Sequence, residues 1–241
     1  MNYKITGNNL QVVTIELNEA EKVYAEAGTM VYMSSNMKME SKMRGGIMKA
    51  IGRKFAGETM FMTEYAPENG KGIVAFGGNV PGTIKPLNIT PKTSFIAQKD
   101  AFLCAHEGVE LTMEFQKRLG ALFFGGEGFI LQKLSGNGTA YIHACGDFIE
   151  FNLEPEQTIK VDTGSVVGWD ESVTYDIKRV KGIKTMFFGG EGVFLTNLTG
   201  PGKVIIQSMS LHNLAHALTP FISTTNNSSG SSGVMGSLFG K

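Results

Sequence analysis

The string Phe124-Gly125-Gly126-Glu127-Gly128 recurs as Phe188-Gly189-Gly190-Glu191-Gly192, and a weaker copy stands earlier as Phe55-Ala56-Gly57-Glu58-Thr59. The steps from Glu58 to Glu127 and from Glu127 to Glu191 are 69 and 64 residues, a nearly constant period that constrains the fold more than composition does. Each copy leads into an apolar run, Met60-Phe61-Met62, Phe129-Ile130-Leu131 or Val193-Phe194-Leu195. A Gly-x-Gly turn follows each run (Gly70-Lys71-Gly72, Gly136-Asn137-Gly138, Gly200-Pro201-Gly202) and opens a further apolar segment. Upstream, Val23 to Gly28, Phe95 to Asp100 and Ile159 to Gly164 hold the same register. Chance explains one matching pentapeptide, but not several features in the same order three times over.

The apolar segments are short, rich in Val, Ile, Phe and Thr, and bounded by Gly, Pro, Asn or Asp, which is how strands and turns read. Ile149-Glu150-Phe151-Asn152-Leu153 alternates and predicts a strand with one buried face, whereas Val204-Ile205-Ile206 predicts one covered on both. The fold class expected is all-β, in three tandem sandwich or barrel units: residues 1–81, 82–147 and 148–214. A unit of that size barely offsets its own chain entropy, so the copies are expected to pack side by side around a pseudo-three-fold axis that protects their strand edges. Residues 41–55 form a basic insertion in the first unit, with Ser41 to Lys54 expected to be helical or loop-like. Residues 215–241 form a C-terminal segment whose tail, Ser223 to Gly233, is Ser/Gly-rich; before that tail, Leu211 to Phe221 is expected to form one short helix ending before Pro220.

Lys plus Arg and Asp plus Glu both number 22, which excludes a uniformly basic nucleic-acid binder. Two cysteines, Cys104 and Cys145, form no disulfide framework or metal knuckle. They read as buried thiols of a reducing compartment. The start of the chain lacks secretory and transit patterns, so the expected location is cytoplasmic, with membrane association left open.

The triplicated arrangement, with Gly57-Glu58-x-x-Phe61 and the two Phe-Phe-Gly-Gly-Glu-Gly strings, resembles the AIM24 family over about residues 1–220. The resemblance implies units like the tryptophan RNA-binding attenuation protein (TRAP-like), a short relative of double-stranded β-helix sandwiches. It also implies a homotrimer whose nine units form a ring, and it brings no established catalytic residues. Asp100 departs from Gly28 and Gly164 at the matching position, which predicts a different turn in the second unit.

The repeat-equivalent residues Gly57, Glu58, Gly126, Glu127, Gly190 and Glu191 read as structural, each carboxylate serving its Gly-rich turn or a neighbouring base. Three carboxylates around an axis holding a cation is the lesser alternative. Residues 38–54 carry six basic side chains against Glu40 alone, with Ile47, Met48, Ile51 and Phe55 at helical spacing. The candidate contacts for an anionic surface are therefore Lys42, Arg44, Lys49, Arg53 and Lys54, with Lys117, Arg118, Lys178 and Arg179 at the matching places of the later units. The bland alternative is a segment packed on its own sandwich with solvated lysines.

Nucleic acid is disfavoured, because no stacking aromatics accompany the basic residues. His212 and His216 share a helix face but have no third ligand at a supporting spacing, so no metal and no cofactor is expected. Trp169 reads as a core or interface anchor. The resulting expectation is a non-enzymatic, homo-oligomeric β scaffold that meets a membrane surface or protein partner. A small-ligand or RNA-binding module working through grooves between units is the alternative.

Overall fold

The computed structural model describes residues 2–44, 60–117, 129–180 and 194–221. In chain order the strands are β1 (Asn2–Thr6), β2 (Val12–Leu17), β3 (Val23–Glu26), β4 (Met30–Met33), β5 (Met37–Arg44), β6 (Met60–Pro67), β7 (Gly72–Gly77), β8 (Gly82–Ile89), β9 (Phe95–Gln98) and β10 (Phe102–His106). They continue as β11 (Val109–Lys117), β12 (Phe129–Gly136), β13 (Gly138–Cys145), β14 (Phe148–Leu153), β15 (Thr158–Asp162), β16 (Val166–Asp170), β17 (Thr174–Arg179), β18 (Phe194–Thr199) and β19 (Gly202–Gln207). One helix, α1 (Leu211–Leu218), follows. The protein is thus nearly all β, as its strand-and-turn pattern predicts, and among the described residues every strand pairing is antiparallel.

The strands form four sheets: I (β1-β2-β7-β4), II (β5-β6-β3-β10-β13-β8), III (β11-β12-β9-β16-β19-β14) and IV (β15-β18-β17). Three apolar cores lie between successive sheets. Val13, Ile15, Leu17, Val74 and Phe76 of sheet I meet Val23, Tyr65, Leu103 and Tyr141 of sheet II. On the opposite face of sheet II, Tyr24, Phe102, Ala140 and Ile142 meet Phe95, Leu111, Leu134 and Ile205 of sheet III. The far face of sheet III, with Ile96, Leu131, Trp169 and Val204, packs on Val161, Ile177 and Leu198 of sheet IV.

This layering explains two kinds of sequence pattern. In β2 alternate residues are buried, because sheet I has one core face. In β9 every residue is buried and in β10 all but His106, because sheets II and III are covered on both sides. The expectation for Val204 and Ile205 holds, since they belong to different cores. That for β14 fails: Leu153 is buried but Ile149 and Phe151 are exposed, because they share a face with Ile206 and Val204 and the three-stranded sheet IV that covers that face does not extend over the terminal strand.

Two further expectations are corrected. Ser41 to Arg44 are not loop or helix but continue β5, paired through Arg44↔Met60. Met37, Met39 and Met43 alternate with Lys38, Glu40, Lys42 and Arg44, a period of two. Residues 45–54 of that insertion lie outside the described residues. The turn at Asp100 is not the odd one. Lys99–Ala101 and Thr163–Ser165 are both 3-10 turns, in which the Gln98 and Asp162 side chains accept from the backbone N–H of Asp100 and Gly164. The matching Gly28 alone lies in the left-handed region, at φ 89°. The C-terminal helix starts on Ser210, whose hydroxyl accepts from the Asn213 N–H, and ends at Leu218 before a 3-10 turn, Thr219–Phe221. Its Leu211 and Leu218 are exposed.

The interior is not uniformly satisfied. The buried Tyr24 hydroxyl donates to the Val109 carbonyl at 2.9 Å, whereas the Tyr141 hydroxyl is buried without a hydrogen-bond partner among the described residues. Burial pushes the Tyr141 phenol far above its usual range. His143 is buried against Gly78 and Gly82, and burial holds its imidazole below the ordinary value, opposed by a hydrogen bond with the Val80 backbone.

Removing one oxygen from each of two buried tyrosines should therefore act in opposite directions. Tyr24→Phe orphans a buried carbonyl and should cost about 1–2 kcal/mol, while Tyr141→Phe relieves an unpaired hydroxyl and should be neutral or stabilising by up to ~1 kcal/mol; urea unfolding of the two variants checks this. His143 supplies a pH test. Its folded-state value lies below that of the unfolded chain, so the unfolded state binds the extra proton between the two. Its contribution is complete above about pH 6.5 and is lost as pH falls through the window below. His143→Asn should flatten that part of the profile of thermal midpoint against pH.

Candidate functional site

The ends of β5, β11 and β17 are where the sequence places its candidate contacts. Each is the terminal strand of its sheet, and each runs into one of the segments 45–59, 118–128 and 181–193, which lie outside the described residues. Gly57, Glu58, Gly126, Glu127, Gly190 and Glu191 fall in those segments, as do Lys49, Arg53, Lys54 and Arg118. Lys42 and Arg44 belong to β5, Lys117 to β11, and Lys178 and Arg179 to β17.

Several of these cations are not free charges. The Lys42 amine donates to the Glu64 carboxylate at 2.5 Å and lies 3.6 Å from Glu40. Lys22 approaches Glu64 from 3.4 Å. Glu64 is buried, so it needs compensating positive charge, and the bond to it holds the Lys42 amine above its ordinary range. Lys38 binds Glu40 at 2.5 Å and lowers the Glu40 carboxyl. Lys178 binds Asp176 at 2.8 Å, which raises the lysine. Arg179 is exposed and makes no ion pair among the described residues. Of the described cations with side chains on view, Arg179 is thus better placed than Lys42 or Lys178 to meet an outside anion.

Sequence reasoning missed Glu64. The available signal was a carboxylate two positions after Met62, on the same face of a strand whose neighbours are apolar. It also missed a trough of about 580 Å³ on the outer face of sheet IV, lined by Thr158, Lys160, Thr174, Asp176, Lys178 and Asn197. Two amines, one carboxylate, hydroxyls and an amide suit a small polar or anionic molecule. The Thr158 and Thr199 hydroxyls are already bonded to each other at 2.8 Å.

The remaining sequence candidates are dispersed. His212 sits on α1 near Asp162, whose carboxyl is raised chiefly by burial. Among the described residues no three His, Cys, Asp or Glu side chains gather as metal ligands. Cys104 and Cys145 are buried in β10 and β13, and burial pushes both thiols up. Trp169 is buried, 5.0 Å from the Tyr175 ring between their centroids.

Comparison with known proteins places these features in a family context. Residues 3–209 match the family model described as mitochondrial biogenesis AIM24. An uncharacterised protein of Streptococcus pyogenes serotype M6, M6_Spy0233, is 33% identical over 223 residues, covering 90% of this chain and 88% of its own. The crystal structure of protein SPYM3_0169 from Streptococcus pyogenes superposes with a TM-score of 0.72 at 27% identity, over 92% of this chain and 99% of that one.

The Glu64 cluster yields a structural prediction. Lys22→Met or Lys42→Met alone leaves the other amine at Glu64, and each should lower the urea midpoint slightly. The double variant withdraws both amines from a buried carboxylate and should lose more stability than the two single losses combined. Strict additivity in urea titrations at pH 7 would show that the amines do not share that carboxylate.

Proposed function

The chain belongs to the AIM24 family, and on that premise we propose that it is a non-enzymatic scaffold that assembles from like copies and presents basic hairpin ends to an anionic membrane surface. The observation that carries this reading is the position of β5, β11 and β17. All three are terminal strands, and Arg44, Lys117 and the Lys178-Arg179 pair stand at their ends. No helix of the described residues is long and apolar enough to cross a membrane, so the contact proposed is peripheral.

Three-fold internal repetition supports the same reading. β2, β8 and β14 pair with β7, β13 and β19, and β3, β9 and β15 pair with β6, β12 and β18. β4, β10 and β16 pair with β7, β13 and β19, and β5, β11 and β17 with β6, β12 and β18. Three TRAP-like units per chain account for this scheme, and copies of such a chain give a ring or trimer of repeated edges. A cytoplasmic location with surface attachment fits these features.

A second reading, a small-ligand module, is favoured by the trough on sheet IV. Protein purified from its source would carry a bound mass in native mass spectrometry, released by Lys160→Ala with Asn197→Ala, and a clean apo spectrum would remove this alternative.

The membrane part is tested by co-sedimentation with vesicles of anionic and of neutral phospholipid. The protein should pellet with the anionic vesicles at low salt and be released as salt rises. The Lys49→Glu, Arg53→Glu, Lys54→Glu variant should lose roughly a hundredfold in partitioning, at about 1 kcal/mol per basic residue near the surface. Equal partitioning of the two proteins overturns it.

A further inference from the structure

β4 is the terminal strand of sheet I and β5 that of sheet II. The short arch Ser34 to Asn36 carries the chain from one sheet to the other. Hydrogen bonds fix this arch. The Met37 N–H donates to the Ser34 carbonyl at 3.0 Å and the Ser34 N–H to the Ile73 carbonyl at 2.9 Å. The Asn36 amide donates to the Asn69 and Lys71 carbonyls at 2.7 and 2.9 Å.

Methionines line the inner side of the arch. Met30 and Met33 pair with Phe76 and Val74, and Met39 pairs with Tyr65. Phe76, Val74 and Tyr65 belong to the core between sheets I and II, as does Met37, and Met30 and Met33 pack against that core. Cross-strand partners share a face, so all four thioethers face inward, two from each sheet. Because the chain doubles back at the arch, Met33 stands across from Met37 and Met30 across from Met39. The Met37 sulfur reaches as far as β7 of sheet I, where a Cβ on Gly72 would collide with it.

The same four places recur twice in the chain without sulfur. Met30, Phe102 and Val166 stand before the same bulge, and Met33, Ala105 and Trp169 after it. Met39, Leu111 and Tyr175 pair with Tyr65, Leu134 and Leu198, and Met37, Val109 and Val173 lie two positions before them. Methionine fills gaps in many cores, but the two sister seams pack well with other residues. Methionine takes 13 of 241 positions, so its presence at all four of these needs a reason besides packing. Access differs too: Met39 is 50% exposed, whereas Leu111 is 4% exposed.

Thioether sulfur is a soft ligand that selects Cu(I) over hard divalent ions. The carboxylates a hard cation would need, Glu40 and Glu64, stand on the opposite face of β5 and β6 and are held by Lys38, Lys42 and Lys22. We propose that Met30, Met33, Met37 and Met39 form a thioether site that takes one soft monovalent cation, Cu(I), entering past the half-exposed Met39. The site stands whether or not the chain is a scaffold. A thioether has no proton to lose, so uptake does not vary with pH as it does where thiolate or imidazole must first be deprotonated.

The test uses the full chain carrying carbon-13 methyl-labelled methionine. Ag(I), an air-stable soft cation of the same charge, should shift the methyl signals of Met30, Met33, Met37 and Met39, assigned through single leucine variants, and saturate at one ion per chain. Cu(I) offered anaerobically on bathocuproine disulfonate should transfer to the same site equally at mildly acidic and neutral pH. The fourfold Met30→Leu, Met33→Leu, Met37→Leu, Met39→Leu variant conserves volume and should lose the ion with an unchanged circular dichroism spectrum, while Met113→Leu keeps it. If the fourfold variant does not fold, Met39→Leu at its half-exposed site is the second probe and should by itself weaken uptake. Cys104→Ala with Cys145→Ala should bind as the unaltered chain does. Shifts confined to other methionines overturn the proposal, as does uptake that survives the leucine variants or fails in acid. No soft-ion uptake by the unaltered chain overturns it outright.

Discussion

The structure depends on backbone hydrogen bonds between strands that are far apart in the chain. The β3–β10 and β9–β16 ladders turn short strand groups into six-stranded sheets with two buried faces. Without them three small cores would each lie open at an edge. With them the middle sheets are hidden on both sides, and β9 and β10 can be apolar almost throughout. The tight fits follow from the same joints. A Cβ on Gly168 would lie 2.4 Å from the Ile96 carbonyl oxygen, so that side of the β9–β16 ladder admits no side chain.

Electrostatics act at the margins of this frame. Glu64 is buried and held by Lys22 and Lys42, and Glu150 at a sheet edge is lowered chiefly by its bond to Lys85. Such pairs take charge that a sequence count assigns to the surface and use it internally. Net basic character in β5 is correspondingly weaker than its run of lysines implies.

Much of the fold was legible because the strand period and the turn residues are local properties. Gly70, Gly136 and Gly138 do sit in the left-handed region, and Val204 and Ile205 do face two cores. What could not be read was the exchange of partners between successive segments, since pairing of β3 with β10 is a long-range choice that alternation does not encode. The same gap explains β14, whose alternation was sound but whose place at the end of sheet III leaves Ile149 and Phe151 uncovered. The site was less legible than the fold. A list of basic residues does not reveal that Lys42 and Lys178 are already spent on Glu64 and Asp176, and the glutamates of the Gly-rich strings lie outside the described residues.

The exchange between segments also orders events in time. During synthesis, β3 emerges long before β10 and β13, so sheet II stays half built until the chain has grown to about Cys145. Sheet III waits for β19, near Gln207. Ladders between distant strands form late, and the nascent chain therefore carries bare, sticky strand margins through most of translation.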